Sequence, residues 1–260
     1  MLGPMVYGLA FWPTSVGTEM RRKFGFADSK KLTEKQRDDL FEKIVEMDKT
    51  ELGYITAVLD PALISSDMLA ENHLGGRNLN RMSYDAAFGA LLRVLKMGFR
   101  VDRIICDQVG PPKTHCFELR QFCEGYLDEA TEVICESKAD DTYPIVSAAS
   151  ICAKVTRDQI LRDWEFTEQA AAKALVSCSI DSEKKFNRVF GCGYPGDAYT
   201  KAWLKDCFDE VYGFPTIVRF SWSTARKMLQ TDGQRDKAYW FDQVDEEKKN
   251  GGSAKGKGKQ

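Results

Sequence analysis

The chain has 260 residues, 43% hydrophobic and 29% charged, enough for one sizeable core or one core with a small appendage. No run approaches the roughly 18 apolar residues that cross a bilayer, and the start lacks the basic and apolar regions of a secretory signal, so cytosol or nucleus is the expected compartment. A net charge of −2 excludes a general polycation, and any contact with nucleic acid must come from local patches.

Along the chain, Met5 to Phe11 predicts a strand. A helix follows through Glu46, with Thr33 as its N-cap. Gly53 to Asp60 alternates as a strand does, and Pro61 opens a helical stretch to Leu69. Met82 to Met97 carries apolar residues at helical spacing, and Val101 to Asp107 reads as a buried strand. Cys116 to Cys123 fits a helix, Glu132 to Glu136 a strand, and Ile145 to Phe166 a long helix that begins with small residues. Strands alternating with helices predict an α/β layered sheet. From Ala198 onward the pattern turns helical around Trp203, Phe208, Phe220 and Trp222, which predicts a small C-terminal helical cap. Residues 1–197 are therefore expected to form the main domain and 198–232 the cap. The Lys/Gly-rich segment 233–260 is expected to be a flexible tail.

Several chemistries are excluded by what the sequence lacks. None of the eight cysteines forms a Cys-x-x-Cys pair, so spacing gives no structural zinc site, and Cys106, Cys135 and Cys152 read as small hydrophobes in apolar runs. The only histidines, His73 and His115, read as surface residues, which disfavours a Ser-His-Asp triad. Neither a Gly-x-x-x-x-Gly-Lys-Ser/Thr loop nor a Gly-x-Gly-x-x-Gly turn occurs. Hard-cation chemistry on carboxylates remains. Asp107 closes the apolar run Ile104-Ile105-Cys106 ahead of the turn Gly110-Pro111-Pro112. Asp140 and Asp141 follow Val133-Ile134-Cys135 and precede a helix opened by Pro144. Such strand-end acids are where α/β proteins hold ligands, although each also reads as a helix cap or a solvated loop residue.

A series of words in order gives this pattern a family. These are Leu2 to Gly8, Ala27-Asp28-Ser29-Lys30-Lys31-Leu32, Asn78-Leu79-Asn80 with Ser83-Tyr84-Asp85, and Asp107-Gln108-Val109-Gly110. Lys138 to Asp158, Gly193 to Asp197 and Val218 to Thr224 complete the series. The chain resembles the type 2 ribonuclease H family (ribonuclease HII), and within it the eukaryotic catalytic subunits. The resemblance implies a ribonuclease H-like layered mixed sheet flanked by helices. It also implies an endonuclease that hydrolyses the RNA strand of RNA/DNA hybrids and nicks 5′ of single ribonucleotides in duplex DNA.

The resemblance assigns residues too. Asp107 and Asp140 match two of four carboxylates that bind two divalent ions, Mg²⁺ or Mn²⁺, while Asp141 stands where the family often has an uncharged residue. Tyr194 matches the aromatic that stacks on the sugar beside the ribonucleotide, and Lys30, Asn78 and Thr224 match contacts to the nucleic-acid backbone. RNA/DNA hybrid, ribonucleotide-containing DNA and two accessory protein subunits are the implied partners. The implied setting is DNA replication and repair in the nucleus.

Members of the family carry an Asp-Glu-Ala-Gly-Arg-Gly segment immediately ahead of the words that begin here at Leu2-Gly3-Pro4. The other two carboxylates lie in that segment and have no counterpart among these 260 residues. Two expectations follow. One is an active protein whose start lies upstream of Met1. The other is a short form that cleaves weakly or not at all and serves as a hybrid-binding or complex-assembly subunit.

Overall fold

The computed structural model describes residues 2–17, 19–20, 32–47, 51–70, 77–167, 189–194, 196–209 and 213–232. The tail, the segment 168–188, Lys30 and His73 lie outside the described residues. Strand β1 (Met5–Phe11) pairs antiparallel with β2 (Gly53–Leu59) over its whole length, from Met5 opposite Leu59 to Phe11 opposite Gly53. Strand β3 (Arg103–Asp107) pairs parallel with β4 (Glu132–Glu136). The expected mixed sheet thus takes the form of two ladders. The long helix α6 (Pro144–Arg162) touches β1, β2 and β3 and so links the two ladders.

Between the strands run α1 (Glu34–Met47), α2 (Pro61–Leu69), α3 (Leu79–Lys96) and α4 (Pro112–Phe122). A single turn α5 (Ala139–Thr142) leads into the long α6 (Pro144–Arg162), and α7 (Ala198–Cys207) and α8 (Ser223–Asp232) complete the helices described. The caps explain where several helices start. Thr33 and Gln36 form a reciprocal capping box at α1, with Gln36 N–H donating to Thr33 Oγ1 (3.3 Å) and Thr33 N–H to Gln36 Oε1 (2.9 Å). Asp60 is the N-cap of α2, accepting from Ala62 N–H at 2.7 Å. The one-turn α5 was not foreseen, because four residues show no helical period. No helix among the described residues is long and apolar enough to cross a membrane.

The small residues that begin α6 let it lie almost on the backbone of β1. A Cβ built on Gly8 would stand 2.0 Å from the carbonyl oxygen of Ala149 and 3.3 Å from Cβ of Ala153. Ala148, Ile151, Cys152 and Val155 from α6 share a core with Ile44 of α1 and Leu52. A second cluster joins Tyr84, Phe88, Leu91 and Leu95 of α3 to Ile104 and to Leu119 of α4. The third gathers the C-terminal helices, with Trp203, Leu204, Ile217, Val218 and Ala225 packing on Leu2 and on Leu161 of α6.

That close approach makes Gly8 the position where one methyl group should do most harm. Gly8→Ala is expected to lower stability by at least about 1–3 kcal/mol, since the obstacle is backbone and not a flexible side chain. The readout is the urea midpoint, with Gly89→Ala as the control: a Cβ there meets nothing within 4 Å. Equal midpoints for the two variants would show that the helix can ride higher on the sheet without loss.

Candidate active site

Asp107 is the last residue of β3 and is exposed, at the edge where the parallel ladder ends. Lys138, the residue before α5, takes a left-handed conformation (φ 59°), the only non-glycine positive φ among the described residues. The turn it makes brings Ala139 N–H to Asp107 Oδ1 at 3.3 Å, and Gln108 N–H donates to the same oxygen at 3.1 Å. Asp140 follows Ala139 in the first turn of α5 and is only 4% exposed. The two sequence-predicted acids are therefore brought to one place. Asp141, next in the turn, is exposed.

The turn after Asp107 is held on several sides. Gln108 N–H donates to the Glu136 carbonyl (2.9 Å), and the Gln108 side-chain amide donates to the Gly110 carbonyl (2.6 Å). Both backbone groups of Val109 are taken. Its carbonyl accepts from the Tyr84 hydroxyl (2.7 Å), and its N–H donates to Nδ1 of His115 (3.2 Å). Tyr84 stacks on Phe88 with the rings 5.1 Å apart and nearly parallel. His115, read from sequence as a surface residue, is buried at 3% exposure. Helix α4 begins at Pro112, earlier than the periodicity showed, and that start turns His115 inward against Tyr84 and Phe88. Burial lowers its pKa from the usual imidazole range, and the Asp107 charge opposes that shift.

Tyr194 is 49% exposed, on the loop between Phe190 and α7. The Arg157 guanidinium sits over its ring, 5.7 Å from the centroid. Beside this pair is Arg219, 5% exposed, whose Nε donates to the Gly3 carbonyl at 2.8 Å. Burial, reinforced by the Arg157 charge, brings the Arg219 pKa down to about 10, so the group is still cationic at neutral pH. Tyr7 feels the same cation, and its hydroxyl bonds with Ser83 Oγ. Sequence reading did not single out Arg157 or Arg219. The available signal was their place inside the quoted words, Lys138 to Asp158 and Val218 to Thr224.

Asn78 and Thr224 occupy helix starts. Asn78 is the N-cap of α3 and accepts from Arg81 N–H at 2.9 Å, while Thr224 is the second residue of α8 and half-buried. Lys30 lies outside the described residues.

The Tyr194 loop is wound around one carboxylate. Asp197 accepts from Cys192 N–H (2.7 Å) and Tyr199 N–H (3.0 Å), and Gly193 N–H donates to Thr200 Oγ1 (3.0 Å). The bond from Cys192 above all holds the Asp197 carboxyl below its usual value of 3.8. A depressed folded-state pKa contributes stability that is complete above that usual value and is lost as pH falls through the lower folded one. Asp197→Ala should therefore melt below the wild type at pH 7, and the gap should close as pH drops beneath 3.8. A gap independent of pH would show that the ionised carboxylate is not what orders the loop.

The chain is similar to known proteins over most of its length. The ribonuclease HII family model matches residues 1–225. A Bos taurus relative, named as a subunit of ribonuclease H2, is 41% identical over 234 residues, covering 90% of this chain and 71% of that protein. Among solved structures, the ribonuclease H2 of Pyrococcus horikoshii OT3 superposes with a TM-score of 0.64 at 30% identity, over 90% of this chain and 93% of that one. Bst-RNase HIII in complex with Mn²⁺ gives a TM-score of 0.55 over 90% of this chain and 67% of that one; at 18% identity this is a likeness of fold. With a family match spanning most of its length and a relative 41% identical over 90% of it, the chain belongs to the ribonuclease HII family of ribonuclease H enzymes, alongside the eukaryotic type 2 catalytic subunits.

Proposed function

We propose that the protein is the catalytic subunit of an endonuclease that cuts the RNA strand of RNA/DNA hybrids and nicks 5′ of single ribonucleotides in duplex DNA. One observation carries this reading: Asp107 is oriented by two backbone N–H groups and stands one hydrogen bond from the turn that bears Asp140. The donors fit a hard cation. They are carboxylate oxygens, and the bonds accepted at Oδ1 of Asp107 leave Oδ2 as a second oxygen for an ion. Asp107 and Asp140 would hold Mg²⁺ or Mn²⁺, as two of the four carboxylates of a two-ion site. Bound there, such ions supply Lewis acidity toward the scissile phosphate and offset charge on the leaving 3′ oxygen. The expected products are a 3′-hydroxyl and a 5′-phosphate.

The protein's own side chains supply recognition. Tyr194 offers an exposed ring on which a sugar can stack and a hydroxyl for the 2′-OH, the combination that separates RNA from DNA at one nucleotide. Arg157 over that ring and Arg219 beside it add positive charge that draws the phosphate backbone toward it. Lys30, Asn78 and Thr224 would add backbone contacts. The relatives are themselves named as one subunit of ribonuclease H2, which supports work in a multi-subunit complex; two accessory subunits and a nuclear setting belong to the same proposal.

The experiment uses a duplex containing one ribonucleotide, offered with Mg²⁺ or Mn²⁺. It compares the chain as it stands with one carrying Asp-Glu-Ala-Gly-Arg-Gly ahead of Leu2, so that cleavage is read with four carboxylates and binding with both chains. In the extended chain, Asp107→Asn or Asp140→Asn should reduce turnover by roughly 100-fold or more, with hybrid binding nearly unchanged. Tyr194→Ala should erode the preference for the ribonucleotide. Undiminished cleavage by Asp107→Asn would sink the assignment. Hybrid binding by both chains with cleavage by neither would mark a binding module instead.

A further inference from the structure

Directly beneath the Asp107 turn lies a group of side chains that the proposed cleavage does not use. Cys106 and Cys135 are direct partners in the β3–β4 ladder, so both leave the same face of the sheet. His115 comes down on them from α4. A nitrogen of its ring and the two sulfur atoms all lie within 4.8 Å of one another. Cys116, next on the helix, donates to the Val133 carbonyl at 4.0 Å and interacts electrostatically with Cys135, as Cys106 does. All three thiols are free and partly exposed to solvent.

This is a donor set of sulfur and imidazole nitrogen, unlike the carboxylates a few residues away. Oxygen-seeking Mg²⁺ and Mn²⁺ discriminate against it, whereas Zn²⁺ favours it. A tetrahedral zinc with bonds of about 2.3 Å to sulfur spaces its ligand atoms about 3.8 Å apart, so the trio needs to draw in by no more than about an ångström. We propose that Cys106, Cys135 and His115, completed by Cys116, form a structural Zn²⁺ site that pins α4 to the β3–β4 ladder.

The site is tied to Asp107 by one hydrogen bond. Nδ1 of His115 accepts from Val109 N–H, two residues after Asp107. If Nδ1 takes the ion, that bond is given up. If Nε2 takes it, the neutral ring carries its proton on Nδ1 and cannot accept from Val109. Either way, zinc exchanges a clamp on the Asp107 turn for a clamp on the helix beneath it. Burial pushes the Cys116 thiol up to about 11. A cation bound there displaces the protons of the thiols that hold it.

The test takes the full chain, reduced and freed of metal with a chelator, and titrates it with Co²⁺ and then Zn²⁺. One Co²⁺ per chain should give a thiolate charge-transfer band, and one equivalent of Zn²⁺ should abolish it. Cys135→Ala should lose the band, while Asp107→Asn combined with Asp140→Asn should keep it. A second readout needs no variant: in the wild type, Zn²⁺ should slow alkylation of Cys106, Cys116 and Cys135 at least roughly tenfold and leave the exposed Cys192 unchanged. A Co²⁺ spectrum without thiolate character, or a band that survives in Cys135→Ala, overturns the proposal. So does equal alkylation of the three thiols with and without Zn²⁺.

Discussion

The contact between α6 and β1 governs what the rest of the chain can do. Gly8 removes the side chain that would hold them apart, and the carbonyl of Ala149 fills that space. A helix seated this low reaches both ladders, which share no strand pairing of their own among the described residues. Its position fixes the strand end that carries Asp107 and, through the single turn that precedes it, Asp140. At its other end Leu161 packs with Leu2 and with the C-terminal helices, and Arg157 reaches the Tyr194 ring. One helix therefore sets the position of both the acid pair and the aromatic.

Asp107 owes its orientation to backbone, and backbone is a steadier support than a flexible side chain. Two N–H groups fix one of its oxygens, while the following turn is tied down through both polar groups of Val109. The left-handed Lys138 belongs to the same device. A non-glycine residue held at positive φ carries strain that its surroundings must offset, and here the return is an amide aimed at the carboxylate. The side chains that hold Val109, Tyr84 and His115, belong to the aromatic cluster of α3 and α4, so packing in that core reaches the acid pair.

Much of this was legible in the sequence where local chemistry decides. Strand β4 and helix α2 fall where apolar runs, Pro61 and the cap at Asp60 put them. The placement of Asp107 follows from an apolar run ending in an acid, whereas that of Asp140 depends on the left-handed turn at Lys138 and the single turn α5. What escaped reading depends on distant partners. His115 follows the polar pair Lys113-Thr114, and only the start of α4 at Pro112 turns it inward. Arg219 is buried because a carbonyl 216 positions earlier receives its Nε, a relation no local pattern encodes. The Cys106, Cys135 and His115 grouping is assembled from two strands and a helix, so spacing along the chain carries no trace of it.

Arg219 gives the molecule an attraction that its overall charge conceals. A guanidinium sealed at 5% exposure cannot gather mobile ions around itself as a lysine on the surface does. Its pull is delivered at Tyr194, in a protein whose net charge is −2. Rising ionic strength would strip the contribution of outlying lysines first, so under the proposed function the attraction that outlasts them is the one beside Tyr194.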